Sequence, residues 1–144
     1  MRSFPGLIAM MMVVTSAGVF AADKVAVIKN THNTCRLMTT SCTALKSGDS
    51  IYEGDIIQTG KDGFAGLSFI DGTTVALDKN SNFRINKYSF VPLKKNYSFD
   101  VLLNRGAALY TSGRLGKLAP QAVNFKTPST VIAVRGTRFL VSVE

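Results

Sequence analysis

Residues 64–77 read FAGLSFIDGTTVAL, and this stretch decides the fold class. Apolar side chains alternate with small or polar ones over residues 64–70 and again over residues 73–77. Such alternation is typical of a β-strand with one buried face, because successive side chains point to opposite faces of a sheet. Asp71-Gly72 separates the two runs, and an Asp-Gly pair supplies the positive φ angles that tight hairpin turns require. The stretch therefore predicts two strands joined by a hairpin turn.

Similar short runs fill the chain from residue 24 onward. A second Asp-Gly pair, Asp62-Gly63, predicts another hairpin turn, between strands at residues 51–59 and 64–70. The remaining predicted strands are residues 24–29, 83–88, 97–103, 107–111, 122–126, 131–134 and 139–143. Gly, Pro, Asn and Ser separate the strands, and no long helical periodicity is present. We predict a single compact all-β domain of many short strands, either a sandwich or a short β-solenoid.

The N-terminal segment has the features of a secretory signal peptide. Arg2 provides a positive charge, residues 7–20 form an apolar region, and residues 19–21 fit the small-residue cleavage pattern. The apolar region is shorter than the roughly 20 residues that a membrane span needs. We predict that residues 1–21 are removed and that residues 22–144 form a periplasmic or secreted domain; a retained anchor is the alternative.

The two cysteines, Cys35 and Cys42, have six residues between them. In an oxidising compartment an even number of cysteines indicates a disulfide. The spacing is too wide for a redox C-x-x-C pair, and a zinc site would lack ligands because His32 is the one histidine of the chain. We predict a structural disulfide across a loop, with free or metal-bound thiols as the alternative.

Charge is distributed unevenly along the chain. Residues 22–78 carry five Lys/Arg and seven Asp/Glu, whereas residues 79–144 carry eleven Lys/Arg and two Asp/Glu. A basic surface attracts anionic partners, and outside the cytoplasm an anionic envelope polymer or a protein fits better than nucleic acid. A merely solubilising surface is the alternative, and the asymmetry also permits self-association. The candidate polyanion contacts are Arg84, Lys87, Lys94 and Lys95.

No motif indicates an enzyme, a cofactor or a metal. His32 lies in a predicted loop among polar residues, and turn positions account for Asp49, Asp62 and Asp71. Residues 78–82 begin like a calcium loop, but Phe83 stands where glycine is needed and Ser89 where glutamate is needed. We expect a polar turn at residues 78–82. The aromatic and basic residues of segment 83–88 resemble a nucleic-acid platform, but we predict that Phe83 lies in the core.

Four motifs, in this order and spacing, resemble those of FecR-type domains. Residues 54–63 resemble the G-D-x-I-x-T-G-x-x-G opening, and residues 67–73 and 77–81 resemble L-x-F-x-D-G-T and L-x-x-N-S. Residues 134–139 resemble V-R-G-T-x-F, and the match as a whole covers about residues 45–141. The signature positions are Gly54, Asp55, Thr59, Gly60, Gly63, Asp71, Gly72, Gly106, Thr127, Pro128, Arg135, Gly136, Thr137 and Phe139.

The resemblance implies an exported, non-catalytic all-β module that binds or organises other molecules. FecR-type domains occur on membrane-spanning sigma regulators, and others occur alone. This sequence shows no anti-sigma segment and no internal apolar segment of span length, so we expect a stand-alone exported domain. The expected partner is an unknown envelope protein or membrane sensor, in signalling or envelope organisation. A polyanion- or carbohydrate-binding module that uses the basic C-terminal half is the alternative.

Arg135 lies between the two apolar runs at residues 131–134 and 139–143. A buried guanidinium must be paired, because an unpaired buried charge costs several kcal/mol. Its planar fork suits carboxylates, and Asp71 and Asp55 are the candidate partners. We expect Arg135 to be a structural clamp beside a glycine-specific corner at Gly136; a contact with a partner protein is the alternative.

Overall fold

A computed structural model describes residues 23–133 and 138–144, which form ten β-strands and one short α-helix, α1 (Arg114–Leu118). The strands are β1 (Lys24–Leu37), β2 (Cys42–Ala44), β3 (Ser50–Tyr52), β4 (Ile56–Phe69), β5 (Thr74–Leu77), β6 (Asn82–Val91), β7 (Asn96–Thr111), β8 (Val123–Lys126), β9 (Val131–Ala133) and β10 (Arg138–Val143). The all-β prediction is confirmed.

Two long, bent strands, β4 and β7, organise the sheet. Residues 56–58 of β4 pair with β6, and residues 65–68 pair with β5. In β7, the part up to residue 105 pairs with β6, and the part from residue 106 pairs with β10 and β5. The ring β4–β5–β7–β6 therefore closes as a small barrel around one core. Strands β1, β2 and β3 extend the sheet beyond β4, and β8 and β9 extend it beyond β7.

The Asp71-Gly72 turn is confirmed, whereas the predicted hairpin at Asp62-Gly63 is wrong. Gly72 has a φ of +90° and joins β4 to β5. Asp62-Gly63 lies inside β4, which runs alongside β1 on both sides of an irregularity there. A Cβ at Gly63 would approach the carbonyl oxygens of Asn33 and His32 to 2.6 Å and 3.0 Å. Glycine is therefore needed here for close strand approach and not for a turn.

Strand β7 is likewise continuous where two strands were predicted. Gly106 lies inside it with a φ of +95°, next to Ser81. Side chains 99, 101 and 103 face the core, but after Gly106 the buried residues are 108 and 110. The side chains that face the core therefore change from odd-numbered to even-numbered residues at the glycine, because the strand bends there.

Aromatic rings run through the core from one side to the other. Phe69 lies 5.1 Å from Phe99, Phe99 lies 5.6 Å from Tyr110, and Tyr110 lies 4.8 Å from Phe139. Phe83 is fully buried, as predicted, so segment 83–88 does not present that ring to a base. The core therefore draws its rings from β4, β6, β7, β8 and β10.

The predicted disulfide is present. Cys35 and Cys42 lie on β1 and β2, with their Cα atoms 5.4 Å apart, and close the hairpin between these strands. Residues 78–82 contain a turn, with Asn80 in a left-handed conformation, φ +53°. The disulfide and this turn both match the sequence-based expectation.

Several sequence-based expectations fall outside the described residues. These are the signal peptide at residues 1–21 and the signature positions Arg135, Gly136 and Thr137. Within residues 23–133 and 138–144, no helix has both the length and the hydropathy of a membrane-spanning segment.

Candidate functional site

A buried carboxylate at the β4–β5 turn joins three parts of the chain. Asp71 accepts hydrogen bonds from the hydroxyl groups of Tyr88 and Thr73, both at 2.6 Å. It also accepts one from the backbone N–H of Leu115, at 3.0 Å, at the start of α1. Burial, followed by the hydrogen bond to Asp71, raises the pKa of Tyr88. Tyr88 and Leu115 were not identified from the sequence, because both lie far along the chain from Asp71.

Gly113 is a second member of this centre, and no sequence motif pointed to it. A Cβ there would collide with the backbone around Thr73 and Gly72. Its N–H donates to the hydroxyl oxygen of Thr73, at 3.2 Å. The short distance between the β4–β5 turn and the segment before α1 therefore depends on glycine.

A second polar centre connects β4, the turn before β6 and the bend of β7. The Thr59 hydroxyl donates to the carbonyl of Asp78 at 2.6 Å and accepts from the N–H of Ser81 at 2.8 Å. The Ser81 hydroxyl also donates to the Asp78 carbonyl and accepts from the N–H of Ala107 at 3.1 Å. These bonds hold the turn against the bend at Gly106.

Asp55 is paired with Arg36, for which the sequence carried no signal. Its Oδ2 accepts from the N–H of Tyr52 at 2.9 Å and lies 3.1 Å from Nε of Arg36. The Nε makes an ion pair but no well-directed hydrogen bond in the described structure, and Nη2 of Arg36 donates to the carbonyl of Ser50. The proposed pairing of Arg135 with Asp55 or Asp71 stays a prediction, because Arg135 lies outside the described residues.

The other described signature residues also have structural environments. Gly54 has a φ of +90°. Gly60 packs against the side chain of Asn33, and the N–H of Thr127 donates to the carbonyl of Thr130, two residues after Pro128. The ring of Phe139 stacks on Tyr110. The described signature positions thus lie at turns, at close contacts between strands and in the aromatic core.

One protein family has a sequence profile that matches residues 55–144, and its description is FecR protein. The chain belongs to the FecR family. FecR domains form a signalling-related family without enzymatic activity, and they occur in envelope proteins. Neither the curated proteins nor the solved structures contain a match. Among the described signature positions of this FecR domain, Thr59, Gly63 and Asp71 are buried and the others are half-buried or exposed. Since their contacts described above lie within the domain, the candidate binding surfaces are formed by other residues.

The four basic residues named from the sequence are all exposed, but they do not form one cluster. Arg84 and Lys87 lie along β6, whereas Lys94 and Lys95 lie at the tip of the β6–β7 hairpin. Lys87 is directly opposite Asp100, whose carboxylate also lies 2.9 Å from Nζ of Lys126. The strand part of this surface is therefore mixed in charge, whereas the tip is basic.

An apolar strip crosses the outer face of β5, β7 and β10. Ala76, Leu109 and Leu140 are cross-strand neighbours, and a shallow depression of about 270 Å³ lies beside them. Leu140 is 70% exposed. Among the described strands β10 pairs only with β7, so it presents a free edge within the described part of the chain. The sequence placed residues 139–143 in a strand but carried no signal for an edge.

The remaining surface features do not favour catalysis. His32 and Asp62 form an exposed pair at 3.6 Å, and the hydrogen bond from Asn33 lowers the pKa of Asp62. A depression of about 370 Å³ beside the disulfide is lined by polar and apolar residues that include Thr34, Gln58 and Thr59. Its described lining contains no group that titrates near neutral pH. Within the described residues no group of three potential metal ligands comes together.

Proposed function

We propose that this FecR domain is an exported, non-catalytic protein-binding module of envelope signalling or envelope organisation, and that a partner protein binds to the β5–β7–β10 face. The exposed apolar strip beside the free edge of β10 carries this proposal. An unpaired strand edge is a template for another strand, because its N–H and C=O groups point outward.

The chemistry of this face favours one kind of partner. An extended segment that adds to β10 would satisfy the outward N–H and C=O groups of the edge. Its alternate side chains would lie on the outer face next to Leu140, at the end of the apolar strip that Leu109 and Ala76 continue. We therefore propose an extended partner segment with apolar side chains at every second position.

A photo-crosslinking residue at position 140, in the exported protein in cells, tests this proposal. The matched control carries the same residue at Val131, an exposed apolar position on β9. We expect position 140 alone to capture one defined envelope protein. Purified Leu140→Asp protein should then lose binding to that protein, whereas Val131→Asp should retain it. Equal capture at both positions, or unchanged binding by Leu140→Asp, would refute the proposed face.

The alternative, polyanion binding through Arg84, Lys87, Lys94 and Lys95, is favoured by the exposure of all four side chains. Binding of this kind weakens steeply with added salt, because each neutralised phosphate or sulfate releases counterions. A salt titration of binding to a soluble polyanion such as heparin measures this slope. A flat dependence would exclude the alternative.

A further inference from the structure

The β6–β7 hairpin ends in a short, ordered turn that displays a leucine. Residues Pro92–Lys94 form a single 3-10 turn, closed by a hydrogen bond of 3.0 Å from the N–H of Lys95 to the carbonyl of Pro92. Leu93 is 99% exposed at this turn. Single exposed leucines are common on protein surfaces, so its position alone does not indicate a site. The residues around Leu93, however, do indicate a site.

Positive charge lies next to the leucine. Lys94 and Lys95 follow it directly, and residues 88–99 contain no acidic residue. On the adjacent helix, the guanidinium of Arg114 lies 5.2 Å from the ring centre of Phe90, near the base of the tip. The acidic residues described around the hairpin base are Asp71, which is buried, Glu53, whose Oε2 lies 3.3 Å from the N–H of Tyr88, and Asp100, which is opposite Lys87 and pairs with Lys126. The tip itself is therefore purely basic.

Two further apolar side chains lie at this end of the molecule. Ile70 in the β4–β5 turn and Leu118 in α1 are each 55% exposed. The N–H of Arg114 donates to the carbonyl of Asp71 at 2.9 Å, which joins the helix to that turn. The Arg114–Phe90 contact joins the same helix to the hairpin. Exposed apolar and basic side chains thus occur together around the hairpin.

We propose that this end of the domain docks on an anionic lipid bilayer, with Leu93 inserted at the level of the headgroups and Lys94 and Lys95 next to the lipid phosphates. A bilayer presents negative charge above an apolar interior, which complements a projecting apolar side chain between cations. A soluble polyanion would use the lysines but would gain nothing from Leu93. The inference does not depend on the proposed partner protein, because the β5–β7–β10 face is a separate surface.

The chain contains no tryptophan, which makes a direct test possible. Leu93→Trp introduces a single fluorophore at the tip, and Leu140→Trp introduces one at an exposed leucine on β10. Both proteins are mixed with vesicles of phosphatidylcholine and phosphatidylglycerol, and with vesicles of phosphatidylcholine alone. We expect a blue shift of emission only for Leu93→Trp and only with the anionic vesicles. The variants share the same N-terminal segment, so its affinity for lipid contributes equally to both.

Charge variants test the role of the two lysines. Lys95 has a φ of +51°, a conformation that asparagine adopts readily, so the test variant is Lys94→Gln/Lys95→Asn. Lys29→Gln/Lys46→Gln has the same change in charge at two exposed lysines elsewhere. One basic residue near an anionic surface contributes about fivefold to binding, so the tip variant should bind the anionic vesicles about 25-fold more weakly. The control variant should bind nearly as well as the unmodified protein.

Leu93→Ala separates bilayer docking from charge attraction alone. Loss of an inserted side chain should weaken vesicle binding by about tenfold while leaving heparin binding unchanged. Melting temperatures of all variants should match that of the unmodified protein, because the substituted side chains are exposed. Absence of the blue shift, an equal shift for Leu140→Trp, or vesicle binding that is insensitive to Leu93→Ala would overturn the proposal.

Discussion

The carboxylate of Asp71 shows how one buried residue can determine the positions of distant segments. It accepts hydrogen bonds from β6, from the residue that follows the β4–β5 turn, and from the first turn of α1. A buried charge of this kind is tolerated only when several donors surround it. Removal of one donor leaves the carboxylate with one hydrogen bond fewer. This lowers the free energy of unfolding by more than the loss of an ordinary hydrogen bond does.

Tyr88→Phe should destabilise the domain by about 1.5–3 kcal/mol, because a hydrogen bond to a buried charge is lost while the ring remains. Chemical denaturation measures the change in the free energy of unfolding. Tyr97→Phe is the matched control, since this half-buried ring packs on Phe90 near the hairpin tip. A change no larger than that of the control would contradict the structural role of the Tyr88–Asp71 bond.

Arg135→Ala should also destabilise the domain, by several kcal/mol, if the sequence-based clamp is correct. Arg138→Ala, at an exposed position on β10, is the control. Melting temperature and partner binding are measured on both proteins. An Arg135→Ala protein with an unchanged melting temperature and no partner binding would favour the alternative of a partner contact.

At the scale of elements, the bends of β4 and β7 close the barrel. Both are places where glycine permits a close approach: Gly63 next to the β1 backbone, and Gly106 next to Ser81. A strand that continues through such a bend can pair with different neighbours on either side of it. The bends therefore explain how β4 contacts both β5 and β6.

Gly106→Ala should destabilise the domain by more than about 2 kcal/mol, because a positive φ and a collision with Ser81 both oppose the new Cβ. Gly48→Ala is a close control: its φ is +93°, but no atom lies within 4 Å of the added Cβ. It should cost about 1–2 kcal/mol from backbone strain alone. Thermal unfolding compares the stability of the two variants. Equal losses of stability would show that the contact with Ser81 is unimportant.

The β1–β2 disulfide should stabilise the domain by about 2–3 kcal/mol, since it closes a short loop in the unfolded chain. Cys35→Ser/Cys42→Ser should lose this amount in urea denaturation. A reducing agent should lower the stability of the unmodified protein to the same level and leave the double variant unchanged. A reductant effect on the double variant would show that the loss has another origin.

At the scale of the whole molecule, the aromatic core makes stability sensitive to alkaline pH. Burial raises the pKa of both Tyr88 and Tyr110. The folded protein therefore retains these phenol protons where the unfolded chain releases them, at an ordinary tyrosine pKa of about 10. The folded state binds more protons there, so its stability is full below about pH 10 and falls above it.

Urea denaturation across about pH 9–11 measures this loss. Tyr110→Phe should be at least as stable as the unmodified protein at neutral pH, because the buried Tyr110 hydroxyl has no hydrogen-bond partner among the described residues. It should also lose less stability as the pH rises, because one of the two buried phenols is gone. Identical pH slopes for the two proteins would contradict the assignment.

The hairpin at residues 64–77, the disulfide and the all-β class could be predicted because each depends on nearby residues. The hairpin is predicted by Asp71-Gly72 and by the alternation of apolar and polar residues on both sides of it. The disulfide is predicted because two cysteines permit one intramolecular pairing. The continuity of β4 and β7 was missed because Asp62-Gly63 has the same local chemistry as a hairpin turn. The parity change at Gly106 likewise resembles a strand end.

The fold class, the family signature and the uneven charge of this FecR domain follow from alternation, motif order and composition, which are all properties of the linear chain. The contacts of Asp71 with Tyr88 and Leu115, the pairing of Asp55 with Arg36 and the exposure of Leu93 at a basic tip arise only in the folded chain. Sequence patterns record which face of a strand is apolar. Which distant segments come together depends on bends and strand register, and these are set by packing throughout the core.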